Sequence, residues 1–294
     1  MRYTIKNEWL TVEIDSKGAE IKSVKDSKSG REFMWNADPA FWNRTAPVLF
    51  PFVGMVADGK YRHEGKEYPM TQHGFARDNE HELLSHDEDK IFFSFKGTEK
   101  TNEVYPFDYD FACGYALKKN SIEVVWQVAN TGYQDMYFSA GAHPAFSCPL
   151  GADGTLKGYS LKFDAKDSLK ARIFDDSKGL ATNMLKEWKL DAEGKLALDE
   201  HTFDDGTLIF ENKQVHEISL VDESGKEFVT VSFKSPLVGV WSPVKKNAPF
   251  VCIEPWYGRC DTVGYSGELK DRDYEEKLSA GGKFMALYTM TFNS

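Results

Sequence analysis

Apolar and polar residues alternate with a period of two along this chain, and the pattern recurs from one end to the other. Ile122, Val124, Trp126 and Val128 point one way while Glu123, Gln127 and Ala129 largely point the other, as in a strand with one buried face. The same reading fits Leu10 to Ile14, Ile91 to Phe95, Phe228 to Phe233, and the late run Phe284, Ala286, Tyr288, Met290 and Phe292. Between such segments stand Asp58-Gly59, Asp153-Gly154, Glu193-Gly194, Asp205-Gly206 and Ser224-Gly225, dipeptides that favour the tight turns of hairpin-rich sheets. Helical signals are sparse. Leu269 to Leu278 is the best candidate, with short turns near Pro39-Ala40-Phe41 and Asn183-Met184-Leu185. The chain therefore reads as all-β. No short fixed repeat marks a propeller or solenoid, so the expected architecture is a large antiparallel β-sandwich with one face hollowed.

A length of 294 residues allows one large core or two smaller ones. The strand pattern resumes on both sides of the charged, glycine-bearing stretch from Leu190 to Asp205, so a single domain over 1–294 is expected. A net charge of −10 argues against nucleic acid or an anionic membrane as partner, since either needs a concentrated basic face. Cys113, Cys148, Cys252 and Cys260 are irregularly spaced with no Cys-x-x-Cys pair, as expected of reduced, partly buried thiols. The first residues enter an alternating pattern rather than a signal-peptide apolar region, and no apolar run approaches the length of a membrane span. A cytoplasmic location is expected, as a monomer or homodimer.

Three residues carry the most chemical information. His73 sits in Thr71-Gln72-His73-Gly74-Phe75-Ala76-Arg77, where Gly74 permits positive φ or a close backbone approach, as suits a histidine projected from a strand into a cleft. His143 precedes Pro144 and Glu254 precedes Pro255. A residue before proline is pushed toward extended conformations, so both are expected on strands or strand ends. His63, His81, His86, His201 and His216 lack such contexts and are expected at the surface or on sheet faces.

Four passages, in order, are Trp42-Asn43-Arg44-Thr45-Ala46-Pro47-Val48-Leu49-Phe50-Pro51, Gln72 to Arg77, Gly141-Ala142-His143-Pro144-Ala145-Phe146 and Cys252-Ile253-Glu254-Pro255-Trp256-Tyr257-Gly258. Together they resemble the aldose 1-epimerase (galactose mutarotase-like) family, most closely its branch encoded in bacterial lactose operons, over nearly the whole chain. The resemblance implies an antiparallel supersandwich with the sugar in an open concave cleft. It also implies interconversion of α and β anomers of a hexose by ring opening and reclosure, without a cofactor. Glu254 then takes the proton of the anomeric hydroxyl and His143 protonates the ring oxygen. His73 matches the family's second site histidine, Arg44 its substrate-binding arginine, and Asp205 the aspartate that grips ring hydroxyls, with Asp204 adjacent. Such chemistry sets one basic and one acidic group across a pyranose. Histidine titrates near neutrality, and Trp256 and Tyr257 are expected to desolvate the glutamate in part. Gln72 joins the binding residues, and Trp35, Phe75, Phe146 and Trp256 are candidate apolar faces for the ring.

The string from His73 to Arg77 also resembles hexose-6-phosphate mutarotases, whose arginines contact phosphate. Convergence of Arg44, Arg77 and Lys60 or Arg62 would favour a phosphosugar, whereas an isolated Arg77 would pair with Asp78 or Glu80. A non-catalytic carbohydrate-binding protein is a further alternative. So is a zinc or iron site from His73, His143 and Glu254, although short-range ligand spacing is lacking and no metal is expected.

Overall fold

Strand Ser121–Asn130 buries Ile122, Val124, Trp126 and Val128 and leaves Gln127 exposed, as its alternation demands. It pairs with Tyr109–Lys118 on one side and Lys283–Phe292 on the other, inside a nine-stranded antiparallel sheet running from Lys195–Ala197 at one edge to Glu82–His86 at the other. The computed structural model describes residues 1–149, 151 and 154–294, and it packs this sheet against an eight-stranded one. The second sheet runs Leu180–Lys189, Ser168–Asp175, Leu208–Phe210, Leu237–Trp241, Phe250–Tyr257, Ala140–Ala142 and Val48–Leu49, with Ala145–Ser147 also paired to Phe250–Tyr257. A smaller three-stranded sheet, Arg2–Lys6, Leu10–Asp15 and Glu20–Asp26, adds Ile5, Val12 and Val24 to the same continuous core. Aromatic rings bridge the two large sheets; Phe163 meets Phe210 edge-on with ring centres 5.4 Å apart. The fold is thus the expected antiparallel β-sandwich.

One strand shows how the site arises from the pleat. Along Phe250–Tyr257, Val251 and Ile253 enter the core between the sheets, while Phe250, Cys252 and Trp256 belong to clusters on the opposite face. Glu254, by its parity, shares that outer face.

Local expectations fared unevenly. The glycine turns form as read, with Gly59, Gly194, Gly206 and Gly225 at positive φ; Asp153 lies outside the described residues. Of the segment Leu269 to Leu278, only Leu269–Asp271 is a 3-10 turn, and Glu276–Leu278 is a strand paired to Met136–Phe138. Buried ion pairs hold its middle: Arg272 bonds Asp261 at 2.7 Å and Glu275 at 2.5 Å. Asn183, Met184 and Leu185 lie inside the edge strand Leu180–Lys189, where pairing to Ser168–Asp175 overrides local preference. The α-helical turn Glu99–Asn102, capped reciprocally by Thr98 and Thr101, went unforeseen. All four cysteines are free and buried, and so are His63 and His81, the latter packed on Phe95 rather than exposed. Among the described residues, no helix is long and apolar enough to cross a membrane.

Candidate active site

Two short strands share one register against Phe250–Tyr257. Ala140 and Gly141 pair with Tyr257 and Trp256, while Ala145, Phe146 and Ser147 pair with Cys252, Val251 and Phe250. The intervening count sets His143 opposite Glu254. Each is followed by proline, which has no N–H for the ladder, so Pro144 cannot donate back across the strands, while the Ile253 amide still reaches Pro144 O at 3.4 Å. His143 Nε2 lies 3.3 Å from Glu254 Oε2 on the outer face of the sheet. The expected extended placement of both residues holds; their relation differs from the reading of two carriers on opposite sides of a ring. They are side by side.

His73 reaches the same place from a turn, not a strand, with its own φ at 66° followed by Gly74 at 69°. A Cβ on Gly74 would stand 2.4 Å from the Phe50 carbonyl oxygen, so only glycine lets the turn lie against that backbone. The His73 amide donates to Gly54 O at 2.8 Å, and the Gly54 amide donates to His73 Nδ1 at 3.0 Å. Because Nδ1 accepts, it carries no proton, and the neutral ring holds its proton on Nε2. Burial, then the charges of His143, Arg77 and Arg44, keep the His73 pKa well below the ordinary histidine value.

The other pair is governed by desolvation as well. Burial, with Arg77 and Arg44 nearby, brings His143 down to about 3. Burial also raises Glu254 well above the usual carboxylate range, opposed only weakly by the Trp256 indole. Neither Glu254 oxygen nor His143 Nδ1 has a hydrogen-bond partner, and the 3.3 Å His143–Glu254 contact lacks the alignment of a hydrogen bond. Such an unsatisfied buried carboxyl is costly, which marks a site built for an incoming polar molecule.

These side chains line a cleft of about 470 Å³. Trp256 forms part of its floor between two glycines: a Cβ on Gly141 would meet the indole at 2.7 Å, and one on Gly239 at 2.5 Å. Gln72 and Arg77 line the cleft as expected. Arg44 is not in the wall itself but stands close by, bonding Asp78 at 2.6 Å, while Arg77 approaches the same carboxylate at 3.7 Å. Three expected aromatics do not contribute. Phe75 packs on Phe95 and Tyr105, Phe146 is wholly buried in the core, and Trp35 stacks on Phe250. Tyr257 faces the core against Phe284, leaving Trp256 to desolvate Glu254. Asp205 is also elsewhere, exposed and bonded to Lys186 at 2.7 Å, and Asp204 is engaged by His201. Lys60 and Arg62 are both paired to Glu67 beside a different crevice.

Several wall residues carry little signal in the sequence. Trp42, inside a passage already singled out, stacks on His143 at 4.7 Å, and Trp241 meets the same ring edge-on at 5.4 Å. Trp241 is placed only through its pairing with Cys252 on the neighbouring strand. Phe174 stands near the end of strand Ser168–Asp175, and Asp176 and Lys178 come from the turn joining it to Leu180–Lys189, which has no local signature beyond Gly179.

Comparison with known proteins decides the ancestry of this arrangement. The aldose 1-epimerase family profile matches residues 1–268. The chain belongs to the aldose 1-epimerase family. It is 30% identical to the plasmid-encoded protein LacX of Lactococcus lactis subsp. lactis over 285 residues, 95% of each chain. A galactose mutarotase related enzyme from Lactobacillus acidophilus is similar at 34% identity with a TM-score of 0.93, covering 100% of this chain and 98% of that one. A galactose mutarotase-like protein from Lactobacillus casei ATCC 334 shares 29% identity and a TM-score of 0.93 over 100% of both chains. Membership in the aldose 1-epimerase family supports an isomerase of epimerase type with a small sugar as its ligand class.

Proposed function

We propose that the protein interconverts the α and β anomers of a hexose, with Glu254 and His143 as the proton-transfer pair. The observation that carries this reading is their 3.3 Å approach on the floor of the cleft. The anomeric oxygen and the ring oxygen of a pyranose are bonded to the same carbon, so adjacent groups can address both. Before the forward step the one proton of the pair, held by Glu254 at rest, crosses to His143 Nε2; the Glu254 carboxylate then removes the anomeric hydroxyl proton while His143 delivers its own to the ring oxygen, and the C1–O5 bond breaks to give the aldehyde. The pair is then neutral, Glu254 protonated and His143 not. Rotation about C1–C2 and reversal of both transfers close the other anomer. One proton stays on the pair throughout, and burial favours its neutral form, the partner of the open-chain sugar. His73, its proton fixed on Nε2, supplies a steady hydrogen bond to the ring oxygen or a neighbouring hydroxyl. Exchange NMR or polarimetry on glucose and galactose, with Glu254→Gln as control, tests the assignment. Wild-type rates in that variant would remove Glu254 from the mechanism.

A phosphorylated hexose is the second reading, favoured by one local imbalance. Arg44 and Arg77 share the single carboxylate of Asp78, Arg77 Nε reaches it only at 3.7 Å and makes no hydrogen bond, and Lys178 lines the same cleft. A phosphate would complete that set of donors. Turnover of hexose 6-phosphates beside the free sugars separates the two substrates.

A further inference from the structure

Behind the proton-transfer pair lies a third group with the chemistry of a metal ligand. Cys252 stands two residues before Glu254 on the same face of one strand, wholly buried beside Trp241 and Ala145. One ligand atom each from His143, Cys252 and Glu254 can be chosen so that all three lie within 4.8 Å of one another. Both Glu254 oxygens lack hydrogen-bond donors, so the carboxyl has unused ligating capacity. We propose that His143, Cys252 and Glu254 form an inhibitory site for a thiophilic divalent cation such as zinc, entered from the cleft. Imidazole, thiolate and carboxylate are each zinc ligands, and three of them leave a fourth position open. As a thiolate and a carboxylate they bring two negative charges, which a divalent cation cancels inside a buried site. Bonds of about 2.0–2.3 Å require the longest edge of the triad to contract by roughly 1 Å, a rotamer-scale movement. His73 is outside the triad, in contrast to the alternative set of His73, His143 and Glu254 weighed from the sequence.

The inhibitory consequence rests on the proposed epimerase activity, whereas the binding itself does not. Cobalt(II) titrated into the full-length protein reads the binding directly. One equivalent is expected to produce thiolate-to-cobalt charge-transfer absorption, which zinc abolishes by displacement and which Cys252→Ser and Cys252→Ala both lack. Without added metal those variants keep anomer exchange, and zinc inhibits them at least tenfold more weakly than the wild type. No charge-transfer band in the wild type would overturn the site. So would a band that persists in a folded Cys252 variant, since Cys113, Cys148 or Cys260 would then be the ligand. A band with no effect of zinc on turnover would overturn the inhibitory role alone.

Discussion

His143 and Glu254 are held face to face by a shared strand register, each beside a proline that donates nothing to the ladder, with 3.3 Å between Nε2 and Oε2. The fold maintains this pair against its own stability, because a desolvated carboxyl without donors disfavours the native state wherever it must ionise. The proposed function and stability therefore oppose each other at Glu254.

Glu254→Gln is expected to lower kcat at least about 10²-fold, the ordinary contribution of a positioned proton carrier. The same change is expected to stabilise the fold by about 1–3 kcal/mol at alkaline pH. The raised pKa of Glu254 means that its favourable contribution is complete below the ordinary carboxylate value and fades as pH climbs through the raised one. Thermal unfolding of both proteins from pH 5 to pH 9 checks the sign. The advantage of the variant must widen with pH, and equal midpoints throughout would contradict the account.

The pH dependence of kcat/KM follows from the single shared proton. On the acid side activity fails when the pair gains a second proton, and His143, brought down to about 3, resists this far below the normal imidazole range. On the alkaline side activity fails when the pair loses its proton, above the raised value of Glu254. A plateau across neutrality is expected, with no inflection near 6.5. An acid limb centred at the free-imidazole value would show that His143 is solvated in the working enzyme. Stability behaves differently at acid pH. A depressed His143 contributes fully above the unfolded histidine value and progressively less as pH falls toward about 3.

The contrast between Glu254 and Asp205 explains how much of the site is legible in the sequence. Glu254-Pro255 and His143-Pro144 carry their backbone constraint next door, so neighbouring residues alone put both on extended chain. The alternation of Ser121–Asn130 and Lys283–Phe292 similarly announces the sandwich, since each strand states which of its faces is buried. Asp205 has only a turn glycine beside it, and a turn dipeptide does not say where the turn points. Cleft aromatics are the hardest. Trp42, Trp241 and Trp256 line the cleft whereas Trp35 and Phe146 do not, a difference set by which strands become neighbours across long stretches of chain.

Asp176 lines the cleft where Asp205 was expected, and the neighbouring cation Lys178 pairs with Asp175 instead. Asp176→Asn is expected to raise KM for a hexose several-fold through the loss of charge-assisted hydrogen bonds, with a smaller change in kcat. Asp205→Asn loses only an exposed contact to Lys186 and should leave both constants near wild type. The reverse ranking in steady-state kinetics would return the substrate role to Asp205.

Substitution of Arg77 separates the free-sugar reading from the sugar-phosphate one. Arg77→Met retains much of the apolar stem while removing the donors, and if the ligand is phosphorylated it should raise KM for a hexose 6-phosphate about tenfold or more. The free hexose should then change less than about twofold, within roughly 0.5 kcal/mol. Equal losses on both substrates would mean that Arg77 chiefly supports the turn through its 2.7 Å bond to Gln72 O.

The hydrogen bond from Gly54 to His73 Nδ1 makes a prediction that needs no turnover at all. Because that nitrogen accepts a backbone proton, the free enzyme should hold His73 as the Nε2–H tautomer, and its lowered pKa should keep it neutral well into acid. Nitrogen-15 correlation spectra of the imidazoles at pH 7 and pH 5 read both properties. Gly54→Ala tests the cause, since a Cβ there would stand 2.5 Å from the Cys260 Cβ at a φ of 73°, forcing the loop away from His73. The variant should be destabilised, and any folded fraction should show tautomer exchange at His73. If the wild-type ring instead titrates near 6.5, His73 is a reservoir of protons and not a fixed donor, and its place in the chemistry moves beside that of His143.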